Sequence, residues 1–130
     1  MRCGRIFHQH PEPSFQEHLT QAKILEFLTG EGIECVPCAG TGVIGLIRGA
    51  RPGPTIALRA DIDAASGVQD EKAAPYRSQN DGVTHCCGHD GHAAIQMGGA
   101  RILHKCRDGF HGNVKLLFDP GEEGHGGALA

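Results

Sequence analysis

The chain has 130 residues, one domain's worth and enough to enclose a single hydrophobic core. Its formal charge of −3 and pI near 6.3 give no electrostatic ground for nucleic acid or an anionic membrane as a partner. Apolar runs such as Val43 to Ile47 are far too short to span a bilayer, and Met1 to Gln9 lacks the apolar centre of a secretory signal, so a soluble, cytoplasmic protein is expected.

Six cysteines would permit a disulfide framework, but four of them lie beside His, Gly or Pro in a chain of ordinary core composition. Metal or thiol chemistry in a reducing compartment fits that pattern better. The 20 glycines cluster at turns and around the histidine-rich segment, which points to tight loops rather than disorder.

In chain order, Ser14 to Phe27 has the pattern of an amphipathic helix. Ser14 with Glu17 reads as a capping box, and Ala22, Ile24, Leu25, Phe27 and Leu28 form the apolar face. Gly30 and Gly32 end it. Ile33 to Cys38, Val43 to Ile47 and Thr55 to Ala60 read as strands, with Arg51-Pro52-Gly53-Pro54 as the turn between the last two. Ala64 to Gly82 is polar and irregular, a surface loop. Asp90 to Lys105 reads as a second helix with Ile95, Ile102 and Leu103 towards the core, and Val114 to Phe118 as a buried strand. Helix, strands, helix and strand in that order predict an α/β sandwich with a mixed sheet. Gly126 to Ala130 would begin a further loop or helix, and a fragment of a longer protein is expected.

The chemistry concentrates in His85-Cys86-Cys87-Gly88-His89-Asp90-Gly91-His92, three imidazoles, two thiols and a carboxylate in eight residues. Core packing does not require such a density of ligand types, whereas a divalent transition metal does. His89 falls at a helix start, where the macrodipole disfavours imidazolium and leaves a lone pair for metal. Cys87 sits in the entering turn, and Asp90 suits an N-cap or a supporting partner. For His85, Cys86 and His92, packing or support is as good a reading as ligation.

Asp119-Pro120-Gly121-Glu122-Glu123 follows a predicted strand, as Asp61 and Asp63 follow another. Open α/β sheets gather ligands at the carboxyl ends of their strands, so Asp61, Asp63, Glu122 and Glu123 are expected to meet Cys87 and His89 at one rim. One carboxylate would ligate while its neighbour takes a proton from water.

Two other motifs carry less. Gly40-Thr41-Gly42-Val43-Ile44-Gly45 matches a dinucleotide-binding glycine pattern, but a strand rather than a helix follows it, so no helix N-terminus is available for a pyrophosphate. Cys35-Val36-Pro37-Cys38 is predicted on a strand, where nothing lowers the first thiol's pKa, so a redox protein is a distant reading.

His8-Gln9-His10-Pro11-Glu12, Thr41-Gly42-Val43, Leu58 to Ala64, Gly82 to His85 with Cys87 to His92, and Pro120 with Glu122-Glu123 occur in an order that resembles the metal-dependent amidohydrolases. These include N-acyl-amino-acid amidohydrolases, hippurate hydrolases and auxin-conjugate hydrolases, and the resemblance runs from about residue 5 to 128. It implies the N-terminal part of a single catalytic domain of zinc-exopeptidase type, an α/β/α sandwich, spanning residues 1–130. By the same resemblance Cys87, His89 and Glu123 would be metal ligands, Glu122 the general base and Asp63 a supporting catalytic carboxylate. Two divalent ions, drawn from Zn²⁺, Mn²⁺, Co²⁺ or Ni²⁺, and an N-acyl amino acid or peptide-like substrate are implied, with homo-oligomers common in the family.

The family also takes two histidine ligands from later sequence and carries a smaller lid and dimerisation domain. Neither is found in these 130 residues. Weak or absent turnover by this chain alone is therefore expected, and a non-catalytic metal-binding remnant is the alternative. Departures from the family pattern are an extra residue at Ala65-Ser66-Gly67, Asp119 for Gln, Gly121 for Ala, and Cys86 for Ala.

Overall fold

Four strands form the central sheet of the computed structural model, which describes residues 2–125. In chain order the elements are α1 (Arg2–Gln9), α2 (His18–Gly30), β1 (Glu34–Cys38), β2 (Gly42–Arg48), β3 (Arg51–Asp61), β4 (Ala65–Ser66), β5 (Val83–Thr84), α3 (His89–Lys105), a 3₁₀ turn (Arg107–Gly109), β6 (His111–Asp119) and α4 (Glu122–His125). The sheet order is β1-β2-β6-β3, with β1, β2 and β6 antiparallel in turn and β3 parallel to β6. The mixed α/β fold is the predicted one. No helix among the described residues is long and apolar enough to cross a membrane.

The period-two pattern of β2 and β6 explains which face is covered. Val43 pairs with Phe118 and Ile47 with Val114, and all four side chains are buried on one face with Leu116. Phe7 of α1, Ile24 and Leu28 of α2, and Ala93, Met97 and Ala100 of α3 complete the same core. The opposite face carries Ile44, Leu46 and Leu117, only partly buried. Of the two helical layers predicted around the sheet, α1 to α3 make one.

Several local expectations are corrected. Helix α2 starts at His18, four residues later than predicted, and Ser14 does not cap it. Glu12 does the capping: its carboxylate accepts the backbone N–H groups of Leu19 at 2.9 Å and Thr20 at 2.8 Å. Ser14 donates instead to Asp63, 2.7 Å away. Ile95 and Ile102 do not face the core; they are 74% and 64% exposed, because α3 packs through its small face of Ala93, Met97 and Ala100. Arg51 to Pro54 is the irregular start of β3, with a register shift between Arg51 and Thr55, rather than a free turn. Helix α1 has no counterpart in the predicted elements. The expectation for Gly126 to Ala130 lies outside the described residues.

Candidate metal centre

The parallel pair β3 and β6 positions the site. Asp61 and Asp119 are register partners at the carboxyl ends of these strands, and the Ile62 N–H bonds to the Asp119 carbonyl at 3.1 Å. The chain leaving β3 therefore delivers Asp61 and Asp63, and the chain leaving β6 delivers Glu122 and Glu123, to the same sheet edge. Helix α3 begins there too, since β3 and α3 pack together. Gly88 takes the left-handed N-cap conformation, φ 85°, and His89 opens the helix.

His89 is the hub. Its ring is nearly fully buried, and Nδ1 lies 2.9 Å from the Asp63 carbonyl and 3.2 Å from Asp63 Oδ1. A proton on Nδ1 donates to these acceptors and leaves the lone pair on Nε2. Nε2 lies 3.7 Å from Asp61 Oδ1, 3.7 Å from Glu122 Oε2 and 3.9 Å from Glu123 Oε1. Among the described residues two triads bring ligand atoms within 4.8 Å of one another: His89 with Glu122 and Glu123, and His89 with Asp61 and His92. One imidazole lone pair facing three carboxylates is a donor set that fits a hard-to-borderline divalent cation.

Asp63 is fully buried and holds two parts of the site at once. Besides His89, its Oδ2 accepts the Ser14 hydroxyl at 2.7 Å and the Glu123 backbone N–H at 2.8 Å. Asp61 accepts from His92 Nδ1 at 2.5 Å and contacts Arg59, which also bonds Asp119. Burial pushes the Asp61 carboxyl up, but the His92 hydrogen bond and the nearby His89 outweigh it and hold the pKa below the usual carboxylate value. Asp61 is thus ionised at neutral pH.

Cys87 stands at the edge of this cluster rather than inside either triad. The Glu123 carboxylate nearby and the Cys86 thiol, 3.9 Å away sulfur to sulfur, push its pKa up to about 12. It is a neutral thiol in this state, and a metal would have to displace its proton.

Of the six residues expected at this rim, Asp61, Asp63, His89, Glu122 and Glu123 gather there, and Cys87 lies outside both triads. His92, for which support and ligation were equal readings, bonds Asp61 and stacks on His89 with ring centroids 5.5 Å apart. His85 is buried with neither ring nitrogen partnered among the described residues. Asp90 lies inside the first turn of α3 and bonds His8 Nδ1 of α1 at 2.8 Å, a support role without capping. Sequence reasoning missed Glu17. Read as part of a capping box, it is instead fully buried, accepting the Gly121 N–H at 2.9 Å and the Thr41 hydroxyl. It thereby ties the turn before Glu122 and Glu123 to the start of α2. A Glu flanked by polar residues gives no sequence signal of such burial. The glycine pattern from Gly40 to Gly45 leads into β2 and Cys35 and Cys38 lie on β1, as expected of both.

Comparison with known proteins adds sequence and fold. The profile of Peptidase family M20/M25/M40 matches residues 57–130. N-acetylcysteine deacetylase of Bacillus subtilis (strain 168) is 46% identical over 126 residues, which is 95% of this chain and 33% of that protein. IAA-amino acid hydrolase ILR1-like 2 of Arabidopsis thaliana is 42% identical over 129 residues, 98% of this chain and 29% of that protein. Among solved structures, the Bacillus subtilis YXEP protein, a dinuclear metal binding peptidase from the M20 family, superposes with a TM-score of 0.88 at 43% identity, over 92% of this chain and 34% of that one. The chain spans about a third of the length of the curated relatives it matches.

Proposed function

Because the chain belongs to Peptidase family M20/M25/M40, we propose that it carries the metal-binding part of a metal-dependent amidohydrolase that cleaves the amide bond of N-acyl amino acids. The observation that carries this reading is the orientation of His89: Nδ1 is held by Asp63, and Nε2 faces Glu122, Glu123 and Asp61 within 3.9 Å. Relatives that act on N-acetylcysteine and on an IAA-amino acid conjugate support the substrate class.

In this reading Cys87, His89 and Glu123 hold a divalent ion, and a second ion shares the site. Bound metal would supply Lewis acidity towards the scissile carbonyl and lower the pKa of a water. Glu122, with its side chain 44% exposed beside His89 Nε2, takes the proton from the attacking water and returns it to the leaving amine. Asp63 keeps the His89 tautomer and, through the Glu123 N–H, fixes the start of α4. Because the relatives are about three times as long, we assign the 130 residues on their own metal binding with slow or no turnover.

The experiment is a hydrolysis assay on N-acetyl amino acids, paired with metal analysis of the same samples. Glu122→Gln should leave bound metal unchanged and abolish whatever turnover the wild type shows. Turnover that survives Glu122→Gln would remove Glu122 from its role, and a wild type that retains no metal would remove the reading altogether.

A further inference from the structure

Phe15 adopts a backbone conformation that a bulky side chain does not favour, φ +60°, yet it is 41% exposed, so core packing does not account for it. Two contacts hold it in place. Its neighbour Ser14 donates to Asp63 at 2.7 Å, and its own ring lies over Gly121, where a Cβ would sit 2.4 Å from it. Backbone strain of this kind persists where the surroundings over-determine it, and it concentrates at ligand sites.

The ring forms part of the wall of a cleft of about 450 Å³, within the range of small-molecule sites, about 300–1,000 Å³. Pro13 to Gln16 make one side, Ala64 to Ser66 the second, and Glu123 with Gly124 the third. The three sides are tied together at Asp63. The Ala64 N–H bonds to the Glu12 carbonyl at 2.8 Å, and the Ser14 hydroxyl and the Glu123 N–H both reach Asp63 Oδ2. The cleft is therefore built on the residue that orients His89, and a proposed metal ligand, Glu123, is one of its walls.

Which end of the substrate it suits follows from the charges. Among the described residues no cationic side chain lines the cleft, and Glu123 contributes a carboxylate, so the carboxylate-bearing amino acid is repelled. Glu122, which in the proposed reaction returns the proton to the leaving amine, is not among the lining residues, whereas Glu123 is. The amino acid thus leaves on the Glu122 side, and the acyl group lies on the Glu123 side. Pro13, Phe15, Ala64 and Ala65 offer that group an apolar surface, and the Phe15 ring is its largest part.

We propose that this cleft is the acyl subsite and that Phe15 is its specificity-determining wall, selecting aromatic acyl groups over acetyl. This rests on the amidohydrolase reading above and deepens it by naming the acyl class. An aromatic acyl group gains ring–ring contact with Phe15 that an acetyl group lacks.

The test is binding of N-benzoylalanine, N-acetylphenylalanine and N-acetylalanine to the Zn²⁺-loaded chain, read by ligand-detected NMR titration. The wild type should bind N-benzoylalanine about 3- to 10-fold more tightly than N-acetylalanine. Phe15→Gly, which removes the ring and suits the left-handed backbone, should abolish that advantage and leave N-acetylphenylalanine binding unchanged. Ala65→Trp, which fills the cleft without removing the ring, should also abolish it; circular dichroism and bound Zn²⁺ check the folding of both variants. A wild type that binds the benzoyl and acetyl compounds alike, or an advantage kept in both folded variants, would overturn the role of the cleft and leave the metal centre standing. Loss of N-acetylphenylalanine binding in place of N-benzoylalanine binding would overturn the acyl assignment. A wild type that retains no Zn²⁺ would overturn the underlying reading as well.

Discussion

Asp63 receives His89 Nδ1 on two of its own oxygens, the backbone carbonyl at 2.9 Å and Oδ1 at 3.2 Å. A single residue thereby fixes the ring's rotation and its tautomer, and its second carboxylate oxygen fixes Glu123 through the backbone. Both consequences reach the proposed ion without Asp63 touching it. Asp63→Ala should lower Zn²⁺ affinity by about 10- to 100-fold, the range seen when outer partners of metal ligands are removed. Competition with a chromophoric chelator measures this, and unaltered affinity would show that His89 needs no such support.

Glu17 and Gly121 are 104 residues apart and joined by a 2.9 Å hydrogen bond inside the protein. Glu17→Ala removes the acceptor from two buried donors, the Gly121 N–H and the Thr41 hydroxyl. An expected destabilisation of about 1–3 kcal/mol per orphaned group should appear in urea unfolding. Because the Gly121 turn carries Glu122 and Glu123, metal affinity should fall as well. A loss of stability with metal affinity intact would separate the turn from the site.

Gly121 has φ +70°, and a Cβ there would lie 2.4 Å from Phe15. Gly121→Ala combines a steric clash with a backbone penalty of about 1–2 kcal/mol for a non-glycine residue in the left-handed region. Adding Phe15→Ala should relieve the clash and leave the backbone penalty. Thermal unfolding of the single and double variants distinguishes the two contributions.

Burial pushes the His85 pKa from its usual value of 6.5 down to about 4, with Asp90 opposing and His8 and His89 assisting. The folded state therefore resists protonation that the unfolded chain accepts. His85's contribution is fully present above pH 6.5 and is lost as pH falls from 6.5 to 4. The shift corresponds to an effect of about 3 kcal/mol across that window. Urea midpoints measured in chelator should fall over this range in the wild type and fall less in His85→Asn.

How far the sequence could be read follows from the range of each signal. The strands β2 and β6, helix α3 and the rim of Asp61, Asp63, His89, Glu122 and Glu123 rest on local periodicity and on the rule that strand ends collect ligands. Those signals are contained within a few residues, and they were legible. Ser14 and Glu17 were misread because a capping box is a local pattern, while their real partners, Asp63 and Gly121, are brought in by tertiary structure. Ile95 and Ile102 were misplaced because helical spacing alone does not say which of two faces meets the sheet; the small residues Ala93 and Ala100 allow the closer approach and win it. The Cys86–Cys87 sulfur spacing depends on a bend whose shape composition does not encode.

The central claim is that His89 is the hub of a metal site, and equilibrium dialysis of the chain against Zn²⁺ tests it most directly. The wild type should retain bound Zn²⁺ after removal of free metal, Glu122→Gln should retain as much, and His89→Ala should lose it while remaining folded by circular dichroism. Equal retention in folded His89→Ala and wild type would contradict the account.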